Sequence, residues 1–586
     1  MIKFLKSAND PRYIFLTSDK PTELSQLEKH LNKIPTYMLL PTFRGIPRAE
    51  VFLEKFKSRS GSYVYYCAAG LWKEVVDFLI TKKIPYDASA IDNSFKYTSF
   101  SMSKEEFKQY VLSWNMSVVP RDYQIEAAWL ILKYNLSLSE LCTRSGKTLI
   151  FNILARSAKE LFGAKKILMI VPSIHLVKQG AKDLQDYAEY FNAEQIWANG
   201  EEVSMADLTI GTFQSLVRKA DPHYKNYDPK FFDAYDVVCV DEAHKASCKS
   251  IKTILALNAF KHLKLRFGFT GTLPKPNTIE SFTCQAILGP KIQEISAREL
   301  IDSNILADPI IKQFRLQYEP DSLNDITIRC GEYLLSSYAQ ENGSKVLLPQ
   351  DQRQFTMIHK KILPTALRSA RQSLTIDEYK KYIISMCAAS SRTLNLEQLV
   401  TMFSFNRLEL ISTLIRNLNK NVIVFAHNTE YINFLTNYLK QQHPEKNIYK
   451  ITGSTTLKKR QQTLDALLES NNNVLIGSYG VVSTGLTFKN IDYGIFAQSF
   501  KADTINRQSL GRLMLRTETK SEFYIYDIVD VYPTKKLYNQ GLEKIKIYKS
   551  EGHRFEIENK SCVYRAIDPC AFQVQSPGPE NVLNTH

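Results

Sequence analysis

From residue 121 onward, short apolar runs alternate with longer amphipathic stretches, and nothing else in the chain restricts its fold as much. Strand–helix–strand units of this kind build parallel sheets covered by helices on both faces. Residues 167–171, 207–211, 237–240 and 266–270 read as strands of one sheet, and residues 422–426, 448–452, 473–478, 493–497 and 522–528 as strands of a second. Residues 429–442 and 457–469 supply crossover helices. The expected class is α/β, with two parallel-sheet lobes in tandem. At 586 residues the chain is also too long for one core, which stops growing at ~250 to 300 residues.

The lobes are expected at residues 116–305 and 306–535, with a mostly helical insertion at about 321–406 inside the second. Residues 1–115 read as a small α/β or α+β accessory domain, ending in an amphipathic helix over 103–114 whose Ser103 and Glu106 are spaced as a capping box. Residues 536–586 are expected to supply a basic helix and a tail that frays after Pro569.

Lys and Arg total 75 against 60 Asp and Glu, and the resulting +15 suggests a polyanionic partner, since cationic side chains release counterions from phosphates. No apolar run approaches the ~18 to 20 residues of a membrane helix. The first ten residues, interrupted by Lys3 and Lys6, lead to no cleavage pattern, so the expectation is a soluble, cytoplasmic protein without a membrane partner. Nine cysteines, none spaced as CxxC, fit reduced buried thiols better than a disulfide frame or zinc site.

Thr143-Arg144-Ser145-Gly146-Lys147-Thr148 precedes an apolar helix. A nucleoside triphosphate needs backbone N–H groups at a helix start, a lysine on its β and γ oxygens and a hydroxyl on Mg2+; Gly146, Lys147 and Thr148 supply these. The first glycine of GxxxxGK[ST] falls at Leu141, however, and alone the segment is equally an ordinary helix start. Asp241-Glu242-Ala243-His244 follows the strand 237–240, where open α/β sheets bind ligands. Asp241 suits Mg2+ and Glu242 suits orienting and deprotonating the attacking water; the alternative is an acidic surface turn. Gln508-Ser509-Leu510-Gly511-Arg512 with Arg516, in the second series, offers cations that stabilise a transferring phosphoryl group, or else a helix-surface pair.

Taken together, these blocks resemble the superfamily 2 DEAH-box-type helicases, with their two RecA-like lobes. Arg121-Asp122-Tyr123-Gln124 is similar to the Q motif, which implies Gln124 as adenine reader; residues 143–148 match motif I and 241–244 motif II. Thr270-Gly271-Thr272 resembles the motif that couples hydrolysis to movement, which implies coupling roles for Thr270, Thr272, Gln508 and His244; no second His or Cys stands at ligand spacing to make His244 a metal ligand. Pro172, Gly211 and Thr212 match strand-end loops that grip a nucleic-acid backbone. Val424-Phe425-Ala426-His427 resembles motif IV, and residues 478–485 motif V, with Thr484 at the nucleic acid and Gly485 at the nucleotide. In motif VI the second arginine is expected at Leu515, and Arg516 follows one position later.

Residues 478–485, Tyr526-Asp527-Ile528-Val529-Asp530 and the Lys-rich stretch 541–550 further resemble the UvsW-type recombination helicases of T-even bacteriophages. That resemblance implies ATP and Mg2+ as cofactors, and branched or duplex DNA, including R-loops, as substrate. It also implies phage recombination, replication and repair as setting, with single-strand-binding or recombination proteins as partners. An ATPase-deficient DNA-binding scaffold, an RNA helicase and a restriction-type motor stay open. Arg44, Arg48, Lys55, Lys57 and Arg59, interleaved with Phe43, Phe52, Phe56, Tyr63, Tyr65 and Tyr66, make a segment able to hold phosphates and stack on bases, or a strand and helix with an aromatic core face. Lys458, opening a second-lobe helix with Lys459 and Arg460, reads either as a backbone contact or as a solvated helix start.

Overall fold

The apolar runs at residues 167–171 and 237–240 lie at the centre of a seven-stranded parallel sheet, because a strand covered on both faces has no polar side to show. The computed structural model describes residues 1–6, 12–34, 38, 49–58, 61–89, 98–188, 190–191, 193–196, 207–256, 263–337, 365–389, 393–482, 488, 490–498 and 503–567. They fall into two units, Met1–Ser296 and Ala297–His586.

The first unit begins with strands β1 (Ile2–Lys6), β2 (Tyr13–Ser18), β3 (Leu53–Lys57), β4 (Tyr63–Ala68) and β5 (Tyr86–Asp87), in the order β3-β4-β2-β1-β5. One face of this sheet, with Ile2, Phe4, Ile14, Leu16, Leu53, Tyr65 and Cys67, is buried with apolar residues of the helices Pro21–Leu31 and Trp72–Thr81. Phe282 of the helix Ile279–Leu288 belongs to the same core, and Gly70 sits so close to that helix that a Cβ would lie 2.0 Å from the Gln285 carbonyl. The small domain is thereby seated on the large sheet that follows. Ahead of that sheet, the helix Lys104–Leu112 starts in the capping box of Ser103 and Glu106.

The large sheet contains β6 (Leu136–Leu141), β7 (Ile167–Val171), β8 (Ala193–Ile196), β9 (Leu208–Thr212), β10 (Val237–Asp241), β11 (Leu265–Thr270) and β12 (Lys291–Ile295), ordered β12-β6-β11-β10-β7-β9-β8 and parallel throughout. Since every strand runs the same way, the carboxyl ends of β6, β11 and β10 open on one edge.

The second unit repeats the plan. Its strands are β13 (Asp308–Tyr318), β14 (Val422–Ala426), β15 (Asn447–Ile451), β16 (Asn473–Ser478), β17 (Tyr493–Phe496), β18 (Glu522–Val531) and β19 (Arg554–Cys562), in the order β15-β16-β14-β17-β18-β13-β19, again all parallel. The α/β class and the tandem RecA-like sheets are as the sequence led us to expect. The long strands β13 and β19 were not anticipated, because their polar residues conceal a strand period. The insertion contributes the helices Asn324–Ser337, Thr365–Ser373, Ile376–Ala389 and Thr393–Met402, whose apolar faces join the core of this sheet. Arg44 and the tail after Pro569 lie outside the described residues, as do Thr484 and Gly485.

The acids of the 526–530 stretch are buried and structural. Asp527 accepts hydrogen bonds from Lys544 Nζ (2.6 Å), Gln313 Nε2 (3.0 Å) and the Tyr548 hydroxyl (3.2 Å). Asp530 accepts from the Tyr318 hydroxyl at 2.7 Å and pairs with the fully buried Arg407. The described cysteines are all free thiols, and no described helix is long and apolar enough to cross a membrane.

Candidate functional site

At the end of β6 the chain turns through residues 142–146 and enters the helix Lys147–Phe162. Two left-handed residues make the turn: Arg144 at φ 75° and Gly146 at φ 81°. The Ser145 carbonyl accepts from both the Tyr123 hydroxyl (2.9 Å) and Gln124 Nε2 (3.0 Å), while Gln124 Oε1 accepts from the Arg121 N–H (2.9 Å). Gln124, only 4% exposed, is thus clamped against the loop, and a Cβ on Gly146 would lie 2.2 Å from its Nε2. Glycine is required at 146 for backbone and for space. The missing first glycine also finds its reason: Leu141 is the buried last residue of β6, so the position belongs to the strand and its side chain to the core.

Two strands away, β10 ends at Asp241 and the chain reverses through Glu242 at φ 52°. Asp241 Oδ1 accepts the Glu242 N–H at 2.9 Å, which fixes the turn. His244 Nδ1 lies 3.0 Å from Thr270 Oγ1 and 3.3 Å from Glu242 Oε2. Thr270 Oγ1 donates to the Thr272 carbonyl (2.9 Å) and accepts the Thr272 N–H (3.2 Å). With its own proton directed at Thr272, the Thr270 hydroxyl must accept from His244, so Nδ1 carries the imidazole proton. Burial alone would raise the Glu242 carboxyl, but the His244 contact and then the Lys147 charge outweigh it and hold the acid well below the usual carboxylate range.

Between the two strand ends sits Gly271. A Cβ there would come within 3.5 Å of Thr143 Oγ1 and 3.6 Å of Lys147 Nζ, so Lys147 packs directly on the TGT turn. Three polar atoms around this edge are buried without a hydrogen-bond partner: Ser145 Oγ, Thr272 Oγ1 and Glu242 Oε2. Buried polar atoms are normally satisfied. Two hydroxyls and an acid in this condition, next to Lys147 at a helix N-terminus, fit a polyphosphate with its water and Mg2+.

The structure therefore brings Gln124, Thr143, Ser145, Gly146 and Lys147 together, and Glu242, His244, Thr270 and Thr272 beside them. Farther along the same edge, β7 and β9 are paired at Val171 and Thr212, with Pro172 next in the chain. The Thr212 hydroxyl, 3% exposed, caps the helix Phe213–Ala220 by accepting the Ser215 N–H at 3.2 Å, and Gly211 leaves only 3.0 Å for a Cβ against Leu216. In the second unit, Lys458 is exposed near the start of the helix Leu457–Glu469, whereas Arg460 turns back onto the carbonyls of Thr455 (2.9 Å), Thr452 (3.2 Å) and Gly453 (3.3 Å). Gln508 and Arg512 lie half-buried on the helix Asp503–Leu513, and Leu515 is drawn into a bridge with Leu306 just ahead of Arg516.

Two supporting residues escaped sequence reasoning. Glu140 takes the Leu273 N–H (3.2 Å) and Lys291 Nζ (2.5 Å), tying the exit of the TGT turn to β6. Gln498 Oε1 takes the His427 N–H at 2.7 Å and its carbonyl takes the Tyr479 hydroxyl at 3.0 Å, joining three elements of the second unit. Neither belongs to a motif; only a fold could reveal them.

Comparison with known proteins gives matches in both units. The family model described as "Type III restriction enzyme, res subunit" matches residues 117–275, and "Helicase conserved C-terminal domain" matches residues 406–514. The chain is 23% identical over 480 residues to the ATP-dependent DNA helicase uvsW of Enterobacteria phage T4, covering 77% of this chain and 80% of that protein. The crystal structure of T4 UvsW aligns at 19% identity over 96% of this chain and 99% of that one, with a TM-score of 0.40. The ATP-dependent Type ISP restriction-modification enzyme LlaBIII bound to DNA aligns at 14% identity over 75% of this chain and 31% of that one, with a TM-score of 0.50, a likeness of fold.

Proposed function

This protein belongs to the superfamily 2 helicases and is an ATP hydrolase, and on that premise we propose that it is a DNA motor acting on branched molecules. The reading covers branch migration, fork regression and R-loop unwinding during phage recombination, replication and repair. The observation that carries its chemistry is the phosphate loop and the Glu242-His244-Thr270-Thr272 chain at neighbouring strand ends of one sheet. The choice of DNA follows the similarity to the T4 helicase.

In this mechanism Lys147 and the N–H groups opening its helix hold the β and γ phosphates. The Thr148 hydroxyl and Asp241 would hold a Mg2+ ion, which would neutralise charge on the phosphate oxygens. Arg144, Gly485 and Gln124 complete the nucleotide site, Gln124 from its seat against the loop. Glu242, ionised while nucleotide binds, orients the attacking water and takes its proton late. Arg512 and Arg516 stabilise charge on the transferring phosphoryl group. His244, Thr270, Thr272 and Gln508 pass the state of the γ-phosphate to the strand-gripping groups, namely Pro172, Gly211, Thr212, Thr484, Arg44 and Lys458.

Phosphate release stimulated by DNA and abolished by Lys147→Ala tests the motor; wild-type protein that releases none on any nucleic acid is a scaffold instead. Unwinding compared across three-way, four-way, R-loop and RNA duplex substrates tests the specificity. Stimulation by blunt linear duplex equal to that by junctions removes the branched-substrate assignment.

A further inference from the structure

The N-terminal sheet buries one face and leaves the other aromatic. Tyr13 and Phe15 on β2, Tyr66 on β4 and Phe56 on β3 stand on this second face, with Phe15 and Tyr66 directly paired across the strands. Tyr66 is the hub. Its ring lies 5.7 Å from Phe15 at 27°, 5.8 Å from Tyr13 and 6.1 Å from Phe56. Phe56 is 45% exposed and Tyr13 37%, so large rings face water where a folded chain normally hides them.

The end of this face is cationic. The Arg12 guanidinium lies 5.8 Å from the centre of the Tyr13 ring and donates to the Ala256 carbonyl at 3.0 Å. Behind it stands Arg266 of β11, 6% exposed, its Nε buried without a hydrogen-bond partner. Burial, and then the like charge of Arg12, lower the Arg266 pKa to about 10. A buried guanidinium in this position is costly unless an anion joins it. The acid on the same face, Glu54, is engaged by the Tyr66 hydroxyl and does not answer that need.

We propose that this open sheet face is a stacking platform for a single nucleic-acid strand, with Tyr13, Phe56 and Tyr66 under unstacked bases and Arg12 and Arg266 taking a phosphate. The occupant is single-stranded because a duplex hides the base faces that aromatic rings need. It is a nucleic acid because exposed ring faces stand next to the Arg12 guanidinium and the buried Arg266 behind it, in a chain of net charge +15. The proposal rests on the DNA-motor reading and gives it a site outside the two parallel sheets, where a displaced strand is held.

The test uses full-length protein without nucleotide and a labelled oligothymidylate of about ten residues, followed by fluorescence anisotropy across a salt series. Tyr13→Ser with Phe56→Ser, both at exposed positions, is expected to weaken binding about tenfold or more while the salt slope holds. Arg266→Met is expected to weaken binding and lower the slope of log K against log salt by about one. Unstimulated ATP hydrolysis stays at the wild-type rate in both, which shows that the fold is intact. Wild-type affinity in both proteins overturns the platform. So does a wild-type dimer that the Tyr13/Phe56 variant dissociates with oligonucleotide binding unchanged, since the face then serves self-association. If wild-type protein binds no oligonucleotide and no DNA stimulates hydrolysis, the motor reading fails as well; stimulation lost only in Lys147→Ala, beside normal binding in the platform variants, sinks the platform alone.

Discussion

Glu242 and His553 show opposite uses of burial. His244 and Lys147 hold the Glu242 carboxyl low against burial, so it is ionised at neutral pH, the state that the proposed role of orienting water needs. Glu242→Gln is expected to lower kcat by about 10²- to 10⁴-fold with little change in KM for ATP, read by steady-state phosphate release. In His244→Ala, burial meets less opposition, the carboxyl rises, and the acid limb of kcat/KM moves to higher pH. His553 has no such helper: burial first, then Arg298 and Arg507, take its pKa from 6.5 down to about 4. The unfolded chain therefore binds a proton that the folded chain refuses. Stability from this group is complete above pH 6.5 and lost as pH falls towards about 4, by about 3 kcal/mol in all. His553→Gln flattens that slope in urea unfolding measured between those limits; an unchanged slope means the ring finds a partner when charged.

Elements join through side chains far apart in sequence, and there the sequence reading stopped. Glu397, buried on the helix Thr393–Met402, accepts the N–H groups of Lys536 (2.9 Å) and Leu537 (2.6 Å) and so caps the helix Lys536–Ser550 from the insertion. Glu397→Ala is expected to destabilise Ala297–His586 by about 2 kcal/mol, with amide exchange rising first in the capped helix. The central strands were legible because Ile167–Val171 and Val422–Ala426 are apolar without a break, which only a doubly covered strand can be. β19, reading RFEIENKSC, is an edge strand with no buried residue, and β13 mixes Lys312, Gln313 and Arg315 with its apolar positions. Gln313 is polar yet buried, because its amide serves Asp527. The turn into the helix Lys147–Phe162 was legible from Gly146 and Lys147, but the clamp of Gln124 on Ser145 and the ties made by Glu140 depend on strand neighbours that no local pattern encodes.

For the whole molecule, the decisive question is whether Met1–Ser296 hydrolyses ATP by itself. It holds the loop proposed for the phosphates, the acids and the His244-Thr270-Thr272 chain, while the arginines proposed for the transition state belong to Ala297–His586. Nucleotide binding and hydrolysis should then separate by mutation. Lys147→Ala is expected to weaken nucleotide binding, because the ground-state phosphates lose their cation. Arg512→Ala is expected to leave the Kd for a non-hydrolysable analogue within a few-fold and to lower DNA-stimulated kcat by about 10³-fold, the scale of an arginine acting only on transition-state charge. Arg516→Ala distinguishes two arrangements around the Leu515–Leu306 bridge. A loss equal to that of Arg512→Ala means the bridge sets Arg516 on the phosphate in place of the residue at 515, and a wild-type rate means Arg512 acts alone. Full hydrolysis by the Arg512→Ala, Arg516→Ala double variant on saturating DNA would remove the second unit from the chemistry, leaving it a role only in holding the strand.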